Sequence, residues 1–331
     1  MDSKITLSAF FLAIVVIMLG AYTRLTDAGL GCPDWPLCYG SWFVPYDVNS
    51  LLQAQAYFPN TTVDTIKALT EMIHRYCATL LGILVLIIGI LTWKNQANTQ
   101  QKTLAALLTM MVILQGLLGM WTVTLKLFPL VVMAHLVGGL CTLSLLWTLW
   151  HVQNNFNLKK PSESTHKFVI AGLILLFIQI ILGGWTSANY AALSCPNFPL
   201  CTTKFLPKWD VTAFDIWSAI RLENPLTFLS LEARQTIHML HRLGAVCVLC
   251  IFCIISRKIS KYASNLPHPT QPRLNLLNKI LIFLVFAQLG LGMLNVILLL
   301  PLHIALLHNM GAFFLLIITL RIFFILPKRS I

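Results

Sequence analysis

Eight stretches of about 20 predominantly apolar residues, each long enough to cross a ~30 Å hydrocarbon core, leave this chain one class of fold. They run over Ile5–Arg24, Ala68–Trp93, Thr103–Leu125, Phe128–Val152, Lys167–Ser187, Leu231–Ile255, Leu277–Leu299 and Leu302–Leu326. Composition agrees: of 331 residues 57% are hydrophobic and only 10% charged, against roughly a quarter charged in a soluble domain. The predicted class is an all-α polytopic membrane protein. The first stretch is flanked by Lys4 and lacks a small-x-small cleavage site, so it is read as a retained span rather than a signal peptide.

A net charge of +12 would suit a nucleic-acid partner were it spread over one surface, but its placement follows topology instead. With the N-terminus inside, the inner loops and tails hold Lys4, Lys94, Lys102, Lys159, Lys160, Lys167, Arg257, Lys258, Lys261, Arg273, Lys279, Arg321, Lys328 and Arg329, opposed only by Asp2 and Glu163. These residues account for the whole excess, and the outer side sums to zero. That bias is the positive-inside pattern. It predicts both termini on the cytoplasmic side of a bacterial inner membrane, with the long cysteine-bearing loops in the periplasm and no nucleic-acid partner.

The chain repeats itself. Gly20-Ala21-Tyr22-Thr23 aligns with Gly183-Gly184-Trp185-Thr186. In the same 163-residue register, Leu30-Gly31-Cys32-Pro33-Asp34-Trp35-Pro36-Leu37-Cys38 falls on Leu193-Ser194-Cys195-Pro196-Asn197-Phe198-Pro199-Leu200-Cys201. A C-P-x-x-P-L-C loop held at one offset marks a duplication. The architecture that follows is two four-helix bundles in tandem, residues 1–160 and 161–331, as parallel repeats about an axis along the membrane normal. The odd-numbered spans share a further signature: Gln115 with Gly119, Gln179 with Gly183, and in a fainter copy Gln288 with Gly292. Such glycines allow close approach either of a second helix or of a flat macrocycle.

Each half holds two histidines inside its apolar segments: His74 and His135 in the first, His241 and His308 in the second. All four lie on even-numbered spans, about six residues from the outer end. At ~1.5 Å per residue they sit about 10 Å below the outer face. Ionisable side chains at such depth are costly and mark function. Facing histidines on neighbouring helices are how a bundle grips a haem. An interhelical hydrogen bond would account for one such residue, but not for four at matched depth in a duplicated frame. Zinc fits poorly, because the histidines lack thiolate or carboxylate partners at a familiar spacing. His151, His166 and His268 fall at inner loops and are expected to be solvated.

The halves differ at one position. Glu71 stands three residues before His74, on the same helix face, whereas His238 occupies the matching place before His241. A carboxylic acid beside a haem can donate or relay protons, which places chemistry in the first half and an electron-transfer or structural haem in the second. The structural alternative is that Glu71 anchors Arg75 or a neighbouring loop. Arg24, Arg75 and Arg242 cluster at outer span ends, where a guanidinium serves equally to pair with a haem propionate or to reach lipid headgroups.

Nine cysteines divide by position. Cys32 with Cys38, and Cys195 with Cys201, close short proline-stiffened loops on the oxidising side and form natural disulfides. Loop rigidity is the plain role for both pairs; the first, beside the proposed chemistry, is also a candidate for redox work or substrate delivery. Cys77, Cys141, Cys247, Cys250 and Cys253 lie within spans and behave as small apolar residues.

Taken together, the eight spans in tandem halves, the Glu71-Met72-Ile73-His74-Arg75 motif, the three further histidines and the paired loop cysteines resemble the haem A synthase family over nearly the whole chain. The resemblance implies oxidation of the C8 methyl of haem O to a formyl group, through two hydroxylations and collapse of the gem-diol. It implies that His74 and His135 receive the substrate haem with Glu71 required for activity, and that His241 and His308 hold a haem b cofactor. The implied partners are membrane lipid, a haem O synthase upstream, an electron donor and a second copy of the chain. Some branches of the family lack the cysteine pairs. The competing class is a bis-histidine dihaem cytochrome b that only carries electrons, against which the one-sided Glu71 argues. A transporter would break its helices near the midplane, and a prenyl transferase would carry aspartate-rich loops absent here.

Overall fold

A computed structural model describes residues 3–95, 97–154, 163–202, 206–216, 229–264 and 270–325. Lys159, Lys160, His268, Lys328, Arg329 and Asp2 lie outside them. The described residues form nine α-helices and one 3₁₀ turn, with no strand among them. The helices are α1 Ser3–Leu25, α2 Val48–Tyr57, α3 Thr65–Lys94, α4 Thr99–Thr124, α5 Pro129–Gln153, α6 Glu163–Ala188, α7 Leu231–Ala263, α8 Thr270–Ile297 and α9 Leu302–Ile325. All but α2 are long and apolar enough to cross a membrane, as a multi-pass membrane protein requires.

Local chemistry sets the helix ends. Asp64 caps α3 by accepting from the backbone of Ile66 and Lys67, Asn98 caps α4 through Gln101, and Ser230 caps α7 through Ala233. Each satisfies an N–H that the first helical turn leaves without an internal partner. α5 begins on Pro129, where a missing N–H costs nothing. Several helices outrun the apolar stretches. α7 continues to Ala263, past Arg257, Lys258 and Lys261, because a helix satisfies its own backbone in water as well as in lipid. Hydropathy locates the hydrocarbon, not the last hydrogen bond.

The chain divides into two compact units. In the first, α1 and α4 each pack against both α3 and α5, so the four spans form a ring with α3 and α5 on one diagonal. In the second, α6 and α8 each pack against both α7 and α9, setting α7 and α9 across the diagonal. The turn from α4 to α5 places Lys126 and Leu127 at positive φ, and the turn from α8 to α9 does the same to Leu299 and Leu300. His151 is buried on α5, and His166 stacks on Phe323 at 4.8 Å. Both are therefore packed at helix ends rather than solvated, because the helices extend beyond the apolar windows that defined the loops.

The cysteine loops fold down onto the helices that follow them. In the first unit Cys32, Cys38 and Tyr39 bury against Ala54 of α2 and against Ala68 and Met72 of α3. α2 was not anticipated from hydropathy, yet its start is written in the sequence. Asp47 accepts from the Ser50 N–H while the Ser50 hydroxyl accepts from the Asp47 N–H, a reciprocal capping box. In the second unit Cys195 and Cys201 bury against Met239. There Trp185 donates its indole N–H to the Ala213 carbonyl at 3.0 Å, pinning the 3₁₀ turn.

Candidate functional site

The diagonal placement of α3 and α5 brings His74 opposite His135, with ring centroids 6.5 Å apart and planes at 87°. His241 on α7 and His308 on α9 stand 6.5 Å apart at 87° as well. The two units thus hold their histidine pairs at one spacing although their sequences differ. With a metal–imidazole bond of about 2 Å and the ring nitrogen about 1 Å from the ring centre, one metal ion between two coaxial imidazoles sets their centres about 6–6.5 Å apart. Among the described residues no three His, Cys, Asp or Glu side chains converge on a common point. A metal held here takes two ligands from the protein and the rest from elsewhere, which is the demand a macrocycle meets. The donor set fits haem iron.

Each ring is seated on a glycine of the adjoining odd span. A Cβ added to Gly20 would lie 3.0 Å from Cε1 of His74, to Gly183 2.9 Å from that of His241, and to Gly292 3.2 Å from that of His308. The fourth seat, Gly119 under His135, is looser at 3.5 Å. The glycines of the shared signature therefore admit the edge of the imidazole. Two more glycines lie between the glutamine and the seat, Gly116 after Gln115 and Gly290 two residues after Gln288. There an added Cβ meets nothing within 4 Å, so these spans carry glycines of two kinds.

Above the first pair, Glu71 is almost fully buried and both its carboxylate oxygens are engaged. Oε2 accepts the Cys32 N–H at 3.0 Å, and Oε1 pairs with Arg75 at 2.5 Å. Arg75 also donates to the carbonyls of Asp34, Pro36 and Leu37. The loop can come this close because residue 31 is glycine: a Cβ there would sit 2.5 Å from the Lys67 carbonyl carbon.

Above the second pair the same frame carries different chemistry. Arg242 donates to the carbonyls of Cys195, Asn197 and Leu200. The Cys195 N–H lies 3.3 Å from Nδ1 of His238, and Nε of Arg242 lies 3.2 Å from its Nε2. A neutral imidazole accepts at one nitrogen only, so His238 satisfies one of these donors where Glu71 satisfies two. The guanidiniums of Arg75 and Arg242 are thus turned to loop carbonyls, and Arg24 pairs with Asp27 at 3.3 Å. The alternative reading of Glu71, an anchor for Arg75 or a neighbouring loop, is thus seen in the structure. The carbonyl acceptors of Arg75 and Arg242, some forty residues away, were not legible because every sequence has main-chain carbonyls.

Cys32 is bonded to Cys38, and Cys195 to Cys201, with Cα atoms 4.8 and 4.2 Å apart. All four cysteines are fully buried, so an external thiol reaches them only when the loop opens. Cys77, Cys141, Cys247, Cys250 and Cys253 are free thiols.

Comparison with known proteins gives one consistent result. The family model described as cytochrome oxidase assembly protein matches residues 3–320. Heme A synthase from Shewanella oneidensis is 39% identical over 323 residues, 96% of this chain and 94% of that protein. Heme A synthase from Geobacillus kaustophilus is 30% identical over 210 residues, 60% of this chain and 61% of the relative.

Proposed function

The chain belongs to the cytochrome oxidase assembly protein family, and from that premise we propose that it is a haem A synthase, oxidising the C8 methyl of haem O to a formyl group in the membrane. The supporting observation is the pair of bis-imidazole sites with the same 6.5 Å spacing. We assign the first unit to the substrate, with His74 and His135 holding haem O and Glu71 as the acid–base group of the reaction. His241 and His308 hold haem b, which when bound supplies one-electron transfer. The cysteine loops face the periplasm and both termini the cytoplasm of a bacterial inner membrane.

The protein's own contributions follow from its side chains. The four spans of the first unit exclude bulk water, and two imidazoles fix the substrate across the bundle diagonal. Glu71 lies one helical turn from His74, where a carboxyl group can take or return a proton. It can do so only by loosening its grip on Arg75 or on the Cys32 N–H. Proton handling and loop anchoring therefore compete for the same two oxygens.

Two unlike sites are expected to carry two unlike haems. The test is extraction and chromatography of haems from the purified protein after co-expression with a source of haem O. Haem A together with haem B supports the synthase. Haem B alone, at up to two per chain and unchanged by haem O, supports instead a dihaem electron carrier, the reading that the matched geometry of the two pairs would favour.

A further inference from the structure

The glutamine of the odd-span signature has a counterpart on the ligand helices. Three residues after His135, His241 and His308 stand Gly138, Gly244 and Gly311. In each case the space that a Cβ would occupy is filled by a glutamine amide of the neighbouring helix: Gln115, Gln179 and Gln288. Nε2 of Gln179 donates to the main-chain carbonyl of His241 at 2.8 Å and lies 3.0 Å from its Nδ1. Nε2 of Gln288 donates to the main-chain carbonyl of His308, also at 2.8 Å. A buried amide is costly unless bonded; at Gln179 and Gln288 its bond cross-links two helices at the ligand residue itself, whereas Nε2 of Gln115 has no partner.

The fourth ligand lacks both halves of this device. Val16 stands where the glutamine should be, four residues before Gly20, and Cys77 replaces the glycine three residues after His74. Neither side chain can reproduce the amide tether. The Nδ1 atoms of His74, His135 and His308 alike complete no regular hydrogen bond, so what sets His74 apart is the missing glutamine and glycine. The exception falls in the unit assigned above to a substrate that must enter and leave.

We propose that Gln179 and Gln288 are positioning residues that lock His241 and His308, that Gln115 holds His135 only by packing its amide into the Gly138 space, and that His74, with neither glutamine nor glycine, is built as the yielding ligand of the first site. The last part rests on the proposed assignment of the first unit to substrate; the clamps themselves need only the haem-ligand reading. An outer partner that orients a ligating histidine typically changes metal affinity by about 10–100-fold. The resident haem is thereby retained, while the substrate haem exchanges on the side of the one histidine left unclamped.

The experiment uses full-length protein loaded with haem b, one site at a time. The second site is isolated by His74→Ala with His135→Ala, and the first by His241→Ala with His308→Ala. Haem loss to excess apomyoglobin and the low-spin electron paramagnetic resonance spectrum are followed together. In the second site, Gln179→Leu and Gln288→Leu should each speed haem loss by about tenfold or more and move the low-spin g values. In the first, Val16→Gln with Cys77→Gly should slow loss by about tenfold. Wild-type rates and spectra in both leucine variants overturn the clamp. A first-site rate unchanged by the installed pair overturns the yielding-ligand assignment. Failure of the underlying haem-ligand reading looks different: the isolating alanine pairs would then remove no haem at all.

Discussion

Glu71 accepts the amide proton of Cys32 through one carboxylate oxygen, at 3.0 Å, while its other oxygen holds Arg75. The residue one turn before a proposed haem ligand is therefore also a fastener of the disulfide loop, and Arg75 extends the fastening to three further carbonyls. The two sequence alternatives for Glu71, acid–base chemistry and loop anchoring, use the same oxygens and are separable only by substitutions that spare one of them.

Glu71→Gln spares the anchor in part, since the amide oxygen still accepts from Cys32, but it removes the titratable group. Product formation should fall by about 10²-fold or more, with haem at the second pair unchanged in the reduced-minus-oxidised spectrum. Glu71→Ala should in addition lower the melting temperature. It leaves the part-buried Arg75 charge without its carboxylate, though still on three carbonyls, a loss of about 1.5–3 kcal/mol. Full synthase activity in Glu71→Gln would remove the carboxyl group from the chemistry and leave it as a fastener only.

His241→Ala and His308→Ala each remove one of the two protein ligands at the second pair. Each should lose the haem b proposed for that pair while the 6.5 Å relation of His74 and His135 is preserved in the other unit. The check is haem stoichiometry by pyridine haemochrome, expected to drop by one haem per chain. An undiminished stoichiometry in both variants would mean that the second pair holds no iron.

Asp210 ties the 3₁₀ turn to the start of α7. Its carboxylate accepts from the hydroxyl and N–H of Thr212 and from the Ser230 hydroxyl, and those bonds, Thr212 first, hold its pKa below the ordinary 3.8. A depressed acid stabilises the fold above the unfolded value and loses that contribution as the pH falls through the folded value. The tether should therefore weaken only below about pH 4. Limited acid proteolysis of residues 206–216 should show increasing cleavage there. Asp210→Asn should be cleaved equally at higher pH, with little further change on acidification.

What the sequence reveals follows physical range. Eight spans are legible because the bilayer imposes one length on each, and His74, His135, His241 and His308 stand out because ionisable groups are rare in apolar runs. α2 was missed because 10 residues fall below any hydropathy window, although Asp47 and Ser50 marked its start. The Gln179–His241 contact joins residues 62 apart, and periodicity along one helix cannot show which helix lies beside it. The donors of Arg75 and Arg242 go to main-chain carbonyls, which carry no sequence signature.

The glycines offer a test in which neighbouring positions of one motif should respond in opposite ways. At Gly183 a Cβ would come within 2.9 Å of the His241 ring, and at Gly20 within 3.0 Å of His74, so alanine must push each imidazole off its seat. Gly183→Ala should therefore reduce haem retention at the second pair and shift its low-spin spectrum. Gly20→Ala should weaken substrate-haem binding at the first. Gly116 and Gly290 have open space where the Cβ would stand. There alanine should leave haem content unchanged and gain about 0.5–1 kcal/mol from the better helix former. Thermal unfolding and haem content of the four variants check the division. If Gly116→Ala expels haem as Gly183→Ala does, the open space at Gly116 is where the macrocycle edge lies, and the glycines of both kinds then serve the same ligand.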